Sequence, residues 1–525
     1  MNPVTRCAVR AGSYHDSVVL MQLQRALAGL PGVMDAGVVM ATPANRELLA
    51  AGGLEVGDAG PDDLLISLKA ESEAAAAEAL SRVDALLKVR GAGSRGAESM
   101  AEFRPRSLAS ALRQLPEARW VSISIPGRYA AAVAEEALDA GRNVFLYSDN
   151  VPIDREVALK RKALPKGLLV MGPDCGTAVL GGVGLGFANR VRRGDIGLVG
   201  ASGTGLQVIM SRIHALGAGI SQAIGTGGRD LSAEVGGMTA IQALDLLRRD
   251  PETRVIVLVA KPPAPEVAAR LLALARSAGK PVVVHFLGAP LPGRRLGNVF
   301  FAATLSEAAE LAMEPGDSLE TGDPIGGHVR GLFSGGTLAY EAMHGLSAFL
   351  SPKEYTILDL GADEYTVGRL HPMIDQDLRL RKLRQETGGI ILLDVVLGEG
   401  AHADPAGELA PVIAEIDAEV VAIVIGTDED PQGLTVQIET LEKAGARVFR
   451  TVTEAVEWIY LHRQSAAEDL PPVPRESLQG PVINIGLESF HASLLAQGAS
   501  SVQVDWRPPA GGNEKLAGIL ARMKA

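Results

Sequence analysis

Cysteine and aromatic residues are scarce in this sequence. Its 525 residues include two cysteines, Cys7 and Cys175, and aromatic residues make up 4%. Two cysteines cannot form the disulfide framework of a small secreted scaffold, so a reducing compartment is expected. The 60 glycines and few aromatics suit α/β layers, in which small residues let helices pack close to a parallel sheet.

Long apolar runs and basic clusters are also missing. No run reaches the ~18 apolar residues of a membrane helix, and the first residues lack the basic-then-apolar order of a signal peptide. The net charge is −12, and the absence of a basic patch with interleaved aromatics argues against nucleic acid as a partner. We therefore expect a soluble cytoplasmic protein that acts on a small molecule. An anionic ligand stays open, because helix N-termini bind anions with few cationic side chains.

The pattern of apolar runs and turns predicts several α/β units. Residues 1–95 read as a small ferredoxin-like or ACT-like domain, followed by a linker over 91–102. Residues 103–193 alternate between strand and helix patterns, as in a Rossmann-like CoA-binding unit with a parallel sheet. After a second linker at 463–480, residues 481–525 are too few for a separate domain and are expected to dock on the body or on another subunit.

Residues 194–314 and 328–462 carry the same landmarks in the same order, which indicates an internal repeat. Ser202-Gly203-Thr204 and Gly335-Gly336-Thr337, the latter preceded by Ser334, each open a helix pattern 133 residues apart. The pairs Asp230/Asp363, Val255–Ala260/Ile390–Val395 and Thr304–Ala308/Thr451–Ala455 follow in step. We therefore predict two related parallel-sheet domains, flavodoxin-like or Rossmann-like, in an α/β fold.

The two repeated turns predict a phosphate site. If the repeats face each other about a pseudo-twofold axis, their helix N-termini, each with about half a positive charge, meet at one point. The phosphate-binding set would be Ser202, Gly203, Thr204, Ser334, Gly335, Gly336 and Thr337. The alternative for either turn alone is an ordinary N-cap, because Ser and Thr are good caps.

Other candidate residues follow predicted strands, where ligands of open parallel sheets bind. Pro126, Gly127 and the run Gly172-Pro173-Asp174-Cys175-Gly176 are expected to line the pocket, with Cys175 a packing residue rather than a nucleophile. His285 is expected to be a satisfied residue at a strand end, whereas His402 lies in a polar loop and is a better site candidate. Mg²⁺ stays open as a cofactor; the carboxylates that could hold it are Asp363, Glu364, Asp394, Glu399 and Asp404.

The order of these motifs resembles a known family. "GPDCGT", "RRGDIGLVGASGTGLQVIMSRI", "AIGTGGRD", "DPETRVIVLVAK" and "GKPVVVHFLG" look like the α subunit of succinyl-CoA synthetase over about residues 120–315. Residues 328–462 are similar to the paired ligase domain that those enzymes carry on the β subunit. The resemblance implies that opposed helix N-termini stabilise a phosphorylated catalytic histidine.

The sequence departs from that family at the phosphoryl carrier. Asn298 follows Gly293-Arg294-Arg295-Leu296-Gly297 where the family has the histidine, and the strand that should precede the supporting acid ends in Lys261. An amide cannot carry a phosphoryl group, and the sequence contains neither an ATP-grasp domain nor a P-loop. Since a lysine attracts phosphate electrostatically, Lys261 and Asn298 are expected to contact a phosphate-bearing substrate as catalytic residues.

The full arrangement resembles the FdrA family. That resemblance implies one subunit of an oxamate carbamoyltransferase of allantoin catabolism, which with two partner subunits converts oxalurate and phosphate into oxamate and carbamoyl phosphate. Phosphate or carbamoyl phosphate would be a substrate, and the chain would form an oligomer with other subunits. The alternatives are an acyl-CoA synthetase subunit that binds CoA near Ile125–Arg128 and Gly172–Gly176 and receives ATP chemistry from a partner, and a non-catalytic scaffold.

Overall fold

The computed structural model describes residues 3–10, 17–60, 63–91, 104–289, 294–315, 323–463 and 471–508. Most of the first predicted linker, Gly293, residues 464–470 of the second linker and the last predicted helix lie outside the described residues. Within those ranges, no helix is long and apolar enough to cross a membrane.

The N-terminal domain is a three-stranded antiparallel sheet covered by helices. Its elements are β1 (Val4–Arg10), α1 (Ser17–Ala28), β2 (Val33–Met40), α2 (Pro43–Ala51), β3 (Leu64–Ala70), α3 (Glu73–Ser81) and α4 (Val83–Gly91). The strand order β1-β3-β2 is that of a ferredoxin-like sheet, without a fourth strand among the described residues. Leu23, Leu27, Ile66 and Leu68 form its core, so the expected small α+β domain is present.

The next segment forms part of a parallel sheet. Its elements are α5 (Leu108–Gln114), β4 (Trp120–Ile123), α6 (Gly127–Asp139), β5 (Asn143–Leu146), α7 (Ile153–Ala163), a 3₁₀ turn (Leu164–Lys166) and β6 (Val170–Met171). All four residues of β4 and of β5 are buried. Such strands read as continuous apolar runs because helices cover both faces of a parallel sheet.

The first repeat forms most of an eight-stranded sheet. The strands of this sheet and the helices between them are β7 (Thr177–Leu180), β8 (Val183–Gly186), β9 (Arg193–Gly200), α8 (Gly203–Ala215), β10 (Ile220–Gly225), α9 (Met238–Arg249), β11 (Val255–Ala260), α10 (Pro265–Arg276), β12 (Val282–Phe286), β13 (Arg295–Leu296), β14 (Val299–Phe301) and α11 (Leu305–Met313). The order is β13-β14-β12-β11-β9-β10-β7-β8. The β7–β8 hairpin extends the sheet beyond β10, with which β7 pairs antiparallel.

The second repeat forms a separate five-stranded sheet. Its elements are β15 (Val329–Phe333), α12 (Gly336–Ser347), β16 (Tyr355–Asp359), α13 (Asp363–Thr366), α14 (Asp377–Leu383), β17 (Ile390–Val396), α15 (Pro405–Glu415), β18 (Glu419–Ile425), α16 (Leu434–Lys443), β19 (Arg447–Phe449) and α17 (Val452–His462). Its order, β16-β15-β17-β18-β19, repeats the order β10-β9-β11-β12-β14 of the first repeat. The predicted duplication of a parallel-sheet domain is therefore confirmed by topology.

The C-terminal segment belongs to the sheet that β4 begins. After a 3₁₀ turn (Arg475–Leu478), it forms β20 (Val482–Ile485), α18 (Glu488–Ala496) and β21 (Ser501–Val504). β20 pairs parallel with β4, giving the order β21-β20-β4-β5-β6. The segment that we expected to dock thus supplies two strands of a Rossmann-like sheet whose strand β4 begins at Trp120, 362 residues before β20 begins at Val482.

Candidate functional site

A cavity of about 1280 Å³ lies where the C-terminal ends of strands from two sheets meet, and we call it the main cavity. Its walls include Ser124–Arg128 after β4, Tyr147–Asn150 after β5, Ala201–Thr204 after β9 and Lys261 after β11. Ligands of open parallel sheets bind at such positions. The N-terminal domain closes another side with Leu20, Met21, Gln24, Val38, Val39, Met40, Thr42 and Asn45.

The start of α8 presents backbone donors to the main cavity. The Ser202 side chain caps the helix, since its Oγ accepts a hydrogen bond from the Gly205 amide at 3.1 Å. The first amides of a helix have no intrahelical acceptor, which leaves those of Gly203 and Thr204 available to an anion. Lys261 lines the same cavity at the end of the neighbouring strand. The sequence motif therefore serves both as an N-cap and as part of a cavity wall.

A second helix, α6, also begins at the main cavity. Its N-cap position, Pro126, makes no side-chain capping bond, and Pro126, Gly127 and Arg128 all line the cavity. A side chain at Gly127 would overlap the carbonyl oxygen of Asp149, so glycine there lets the loops after β4 and β5 touch. The helices that converge thus come from different sheets and are not the two repeated ones.

The second repeated turn does not line the main cavity, and its Ser334 and Gly335 donors have an acceptor within the protein. The Asp394 carboxylate accepts hydrogen bonds from the Ser334 amide at 2.7 Å, the Ser334 hydroxyl at 3.0 Å and the Gly335 amide at 2.8 Å. Arg379 donates to the same carboxylate at 2.7 Å, and both side chains are buried. The carboxylate of Asp394 thus takes the Ser334 and Gly335 donors that we predicted for phosphate, but it does not bond to the amides of Gly336 and Thr337, the first residues of α12.

Strand register explains why the two turns differ. Leu258 pairs with Val199 in the first repeat, and Leu393 pairs with Leu332 in the second. Since Val199 and Leu332 are 133 residues apart, as the turns are, Asp394 corresponds to Val259. The valine side chain supplies no acceptor, and the Val259 carbonyl oxygen accepts the Ala201 amide at 3.1 Å. In the second repeat the Asp394 side chain instead takes the Ser334 and Gly335 donors that precede the first residues of α12.

The run from Gly172 to Gly176 meets the main cavity in part. Asp174 and Gly176 line it, whereas Gly172, Pro173 and Cys175 lie behind the wall. Burial raises the pKa of the Cys175 thiol to about 12, so the thiol stays protonated at neutral pH. A side chain at Gly172 would overlap the carbonyl oxygen of Leu146, which explains glycine at that position.

Two acidic residues give the main cavity a mixed charge. Asp174 and Asp149 both line it, and neither carboxylate has a hydrogen bond or ion pair within the described residues. Burial, followed by repulsion from Asp149, raises the pKa of Asp174, while Arg229 and Lys261 oppose that rise. Asp174 and Asn150 are also the non-glycine residues with positive φ in the described chain, at 57° and 53°. Strained backbone of this kind collects at functional sites.

Asn298 is buried away from the main cavity. Its Nδ2 donates to the carbonyl oxygens of Ala275 and Lys280, both at 2.8 Å. These bonds tie the segment before β14 to the end of α10 and give the side chain a structural task. The predicted contact between Asn298 and a substrate is therefore absent from this arrangement.

No histidine of the described residues lines the main cavity. His285 is buried, and its Nδ1 lies 2.9 Å from the carbonyl oxygen of Ala302, as expected for a satisfied strand-end residue. His402 sits on the second repeat, where its Nδ1 accepts from the Asp404 amide at 3.1 Å. Neither histidine is placed to act on a ligand at α8.

The acids proposed for Mg²⁺ are not gathered into one cluster. Asp394 is used by the second turn, and Asp404 caps α15 by accepting from the Gly407 amide at 3.0 Å. Asp363, Glu364 and Glu399 are exposed. Among the described residues, no group of three or more His, Cys, Asp or Glu side chains could hold a metal ion.

A buried ion cluster fixes the two sheets behind the main cavity. Lys160 of α7 donates to Glu156 at 2.9 Å, to Asp230 at 2.7 Å and to the carbonyl oxygen of Thr226 at 3.2 Å. The Asp230 carboxylate also accepts the amides that begin α9. Asp363, its counterpart by sequence, is exposed instead, so this part of the repeat has diverged.

The crevice between β4 and β20 is closed by the protein itself. Dinucleotides bind at this switch point in Rossmann-like sheets, over a glycine-rich turn. Here the Leu487 amide donates to the Ser124 hydroxyl at 2.8 Å, and a side chain at Gly486 would meet Ser124. Glu488, in the first turn of α18, forms an ion pair with Arg104.

Sequence reasoning missed several residues of the main cavity. Asp149, Asn150, Thr177 and Phe187 line it, as does the N-terminal domain. Asp149 and Asn150 immediately follow a predicted strand, and Thr177 belongs to the "GPDCGT" run, so position relative to strand ends was the available signal. Nothing in the sequence indicated the contribution of the N-terminal domain.

Three family models match parts of the chain. They are described as "AllF, heavy metal-associated domain" over residues 1–104, "CoA binding domain" over 191–288 and "CoA-ligase" over 332–460. The uncharacterized protein YahF of Escherichia coli is 38% identical over 494 residues, which cover 84% of this chain and 95% of YahF. The chain belongs to the YahF family. The CoA-binding match covers most of the first repeat, and the CoA-ligase match covers most of the second repeat.

Members of a wider superfamily match this YahF-family chain over a shorter segment. The α1 subunit of ADP-forming succinate–CoA ligase from Archaeoglobus fulgidus is 32% identical over 34% of the chain and 60% of that subunit. The α subunit of malate–CoA ligase from Methylorubrum extorquens is 29% identical over 35% of the chain and 64% of that subunit. The likeness to succinyl-CoA synthetase is thereby confirmed.

The described residues of the N-terminal domain do not fit a heavy-metal site. Soft metals favour thiolate ligands, and the domain contains one cysteine, Cys7. Cys7 lies half-buried in β1, and burial raises the pKa of its thiol. In this YahF-family chain, the domain instead supplies a wall of the main cavity.

Proposed function

We propose that the chain binds a phosphate or acyl phosphate in the main cavity and takes part in acyl transfer as a subunit of a CoA-ligase-type enzyme. The single observation that carries this proposal is the open turn of the first repeat. Its helix amides and Lys261 face a large cavity, while the matching turn of the second repeat is occupied by Asp394.

The residues of the main cavity suit charge stabilisation. The amides of Gly203 and Thr204 and the ammonium group of Lys261 would hold the phosphate oxygens through charge-assisted hydrogen bonds. When the bond between the carbonyl carbon and the phosphate oxygen breaks or forms, the same donors would stabilise the negative charge on the leaving or attacking phosphate. This chemistry requires positioned donors and no histidine carrier.

The first candidate for the acyl acceptor is CoA. The matches to CoA-binding and CoA-ligase models support it, and so do the relatives that are subunits of CoA ligases. The cavity volume of about 1280 Å³ exceeds the ~300–1000 Å³ typical of small-ligand sites. Because the hydrogen bond between the Leu487 amide and the Ser124 hydroxyl closes the other crevice, a CoA diphosphate would bind at α8 rather than at α18.

The second candidate is carbamoyl transfer between oxalurate and phosphate. Asp149 and Asp174 would repel a purely anionic ligand, but their oxygens would accept hydrogen bonds from a carbamoyl NH₂ group. The match to an AllF-type domain agrees with this chemistry. The observation that favours it is the pair of carboxylates without partners in the described residues.

Two half-reactions with the purified full-length chain distinguish the candidates. In one, acetyl phosphate and CoA are mixed with the chain, and loss of the free thiol is followed. In the other, carbamoyl phosphate and oxamate are mixed, and oxalurate is measured. Thiol loss supports the first candidate and oxalurate supports the second. The proposal as a whole is wrong if titration calorimetry detects no binding of phosphate, acetyl phosphate or carbamoyl phosphate.

Lys261→Met tests the cationic contact. Lys261 is exposed at the main cavity and makes no ion pair within the described residues, so the change should leave the melting temperature within about 2 °C of the wild type. Losing a charge-assisted hydrogen bond, worth ~1.5–3 kcal/mol, should weaken phosphate binding by roughly 10- to 100-fold. Lys353→Met, in a unit remote from the main cavity, is the control. An unchanged phosphate affinity in Lys261→Met would remove the assignment.

A further inference from the structure

Thr177, the first residue of β7, carries a buried hydroxyl with no partner. The side chain is 1% exposed, and its Oγ1 has no hydrogen bond within the described residues. Most buried polar side-chain atoms in proteins are hydrogen-bonded, so an exception calls for an explanation such as a missing ligand.

The position of Thr177 supplies that explanation. The residue lines the main cavity, and a Cβ built on Gly203 would lie 3.3 Å from its Oγ1. Gly203 is the first residue of α8, where the helix amides have no intrahelical acceptor. The hydroxyl of Thr177 and these amides therefore adjoin the same small volume.

A comparison with another buried hydroxyl sharpens the point. Ser67 of β3 also has an unpartnered, fully buried Oγ, but it does not line the main cavity. A buried hydroxyl alone therefore indicates no ligand. Thr177 combines the missing partner with a cavity wall and with a helix start that offers amides to an anion.

We propose that Thr177 Oγ1 donates a hydrogen bond to an oxygen of the anion held at the start of α8. This inference rests on the proposed function and adds a ligand-contacting side chain to that site. The anion is a phosphate group, free or as part of an acyl phosphate. Thr177 and the α8 amides approach it from two elements, which fixes its orientation as well as its charge.

Thr177→Val is the test, because valine keeps the shape and removes the hydroxyl. In the ligand-free protein, this change removes an unsatisfied buried group, so the melting temperature should stay equal or rise. Phosphate and acetyl phosphate should bind roughly 10-fold more weakly, as expected for a lost hydrogen bond to a charged group. A residue with a purely structural role would change stability and affinity in the same direction.

Two variants serve as controls in the same calorimetric titrations. Thr177→Ser keeps the hydroxyl and should bind within about 3-fold of the wild type, and Ser67→Ala should bind as the wild type does. Inorganic phosphate, acetyl phosphate and succinate are titrated separately, so that phosphate and carboxylate recognition are distinguished. Wild-type affinity in Thr177→Val overturns the inference and leaves the proposed function standing. Failure of the wild-type chain to bind either phosphate compound overturns both.

Discussion

Removing the carboxylate of Asp394 tests whether this side chain holds the second repeated turn by accepting its hydrogen bonds. In Asp394→Ala, two amides and one hydroxyl lose their acceptor, and the buried Arg379 loses its counter-charge. Breaking a buried ion pair by removing one partner costs ~3–5 kcal/mol. At ~2–4 °C per kcal/mol for units of this size, the melting transition of the second repeat should fall by roughly 6–20 °C.

The vacated turn of Asp394→Ala should then recruit an anion. The guanidinium of Arg379 and the freed amides of Ser334 and Gly335 resemble an oxyanion site, so phosphate should raise the melting temperature of this variant more than that of the wild type. Ligand that binds only the folded state at 100 times its Kd adds about 2.7 kcal/mol. Differential scanning calorimetry at phosphate concentrations from 0 to about 50 mM measures both the loss of stability and its recovery by phosphate.

Asp404→Ala is the matched control for Asp394→Ala. Asp404 belongs to the same repeat, but it caps α15 at an exposed position. Loss of such a cap costs ~1 kcal/mol and should show no selective rescue by phosphate. If Asp394→Ala loses as little stability as Asp404→Ala, the turn is not held by Asp394 and the structural argument fails.

Two further predictions concern residues behind the main cavity. Asn298→Ala should lower the free energy of unfolding by ~1–3 kcal/mol, because the carbonyl oxygens of Ala275 and Lys280 lose their donor. The phosphate affinity, measured by calorimetry, should stay at the wild-type value. A loss of affinity without a loss of stability would indicate that Asn298 contacts the ligand after all. Because burial raises the pKa of Cys175 to about 12, its thiolate is scarce below that pH and iodoacetamide at pH 8 should alkylate the half-buried Cys7 faster, with both thiols reacting in denaturant. Mass spectrometry of the labelled peptides checks this order, and preferential labelling of Cys175 in the native protein would contradict it.

Sequence patterns predicted the architecture because they are local. Apolar runs mark the buried parallel strands, and Ser or Thr before a helix pattern marks a cap, as at Thr304 and Thr451. The repeat could be recognised because the same signals recur in the same order. The Ser202–Thr204 turn was also identified locally, since the order strand, glycine-rich turn and helix is contiguous.

The composition of the main cavity depends on contacts that are distant in sequence. Helices α6 and α8 belong to different sheets, and their meeting depends on how the sheets pack through groups such as Lys160 and Asp230. The pairing of β20 with β4 joins segments separated by an entire pair of repeats. No local pattern encodes either arrangement.

The sequence by itself determined the α/β class, the duplicated domain and the glycine-rich turn that begins α8. Only the tertiary structure decided which predicted donors keep their hydrogen-bonding capacity for a ligand. The Asp394 side chain takes the Ser334 and Gly335 donors of one repeated turn, whereas Val259 has no side-chain acceptor at the corresponding position of the other, although the two turns look alike in sequence. The physical reason is that a hydrogen-bond donor is available only where no acceptor of the folded chain reaches it, and strand pairing brings those acceptors into place.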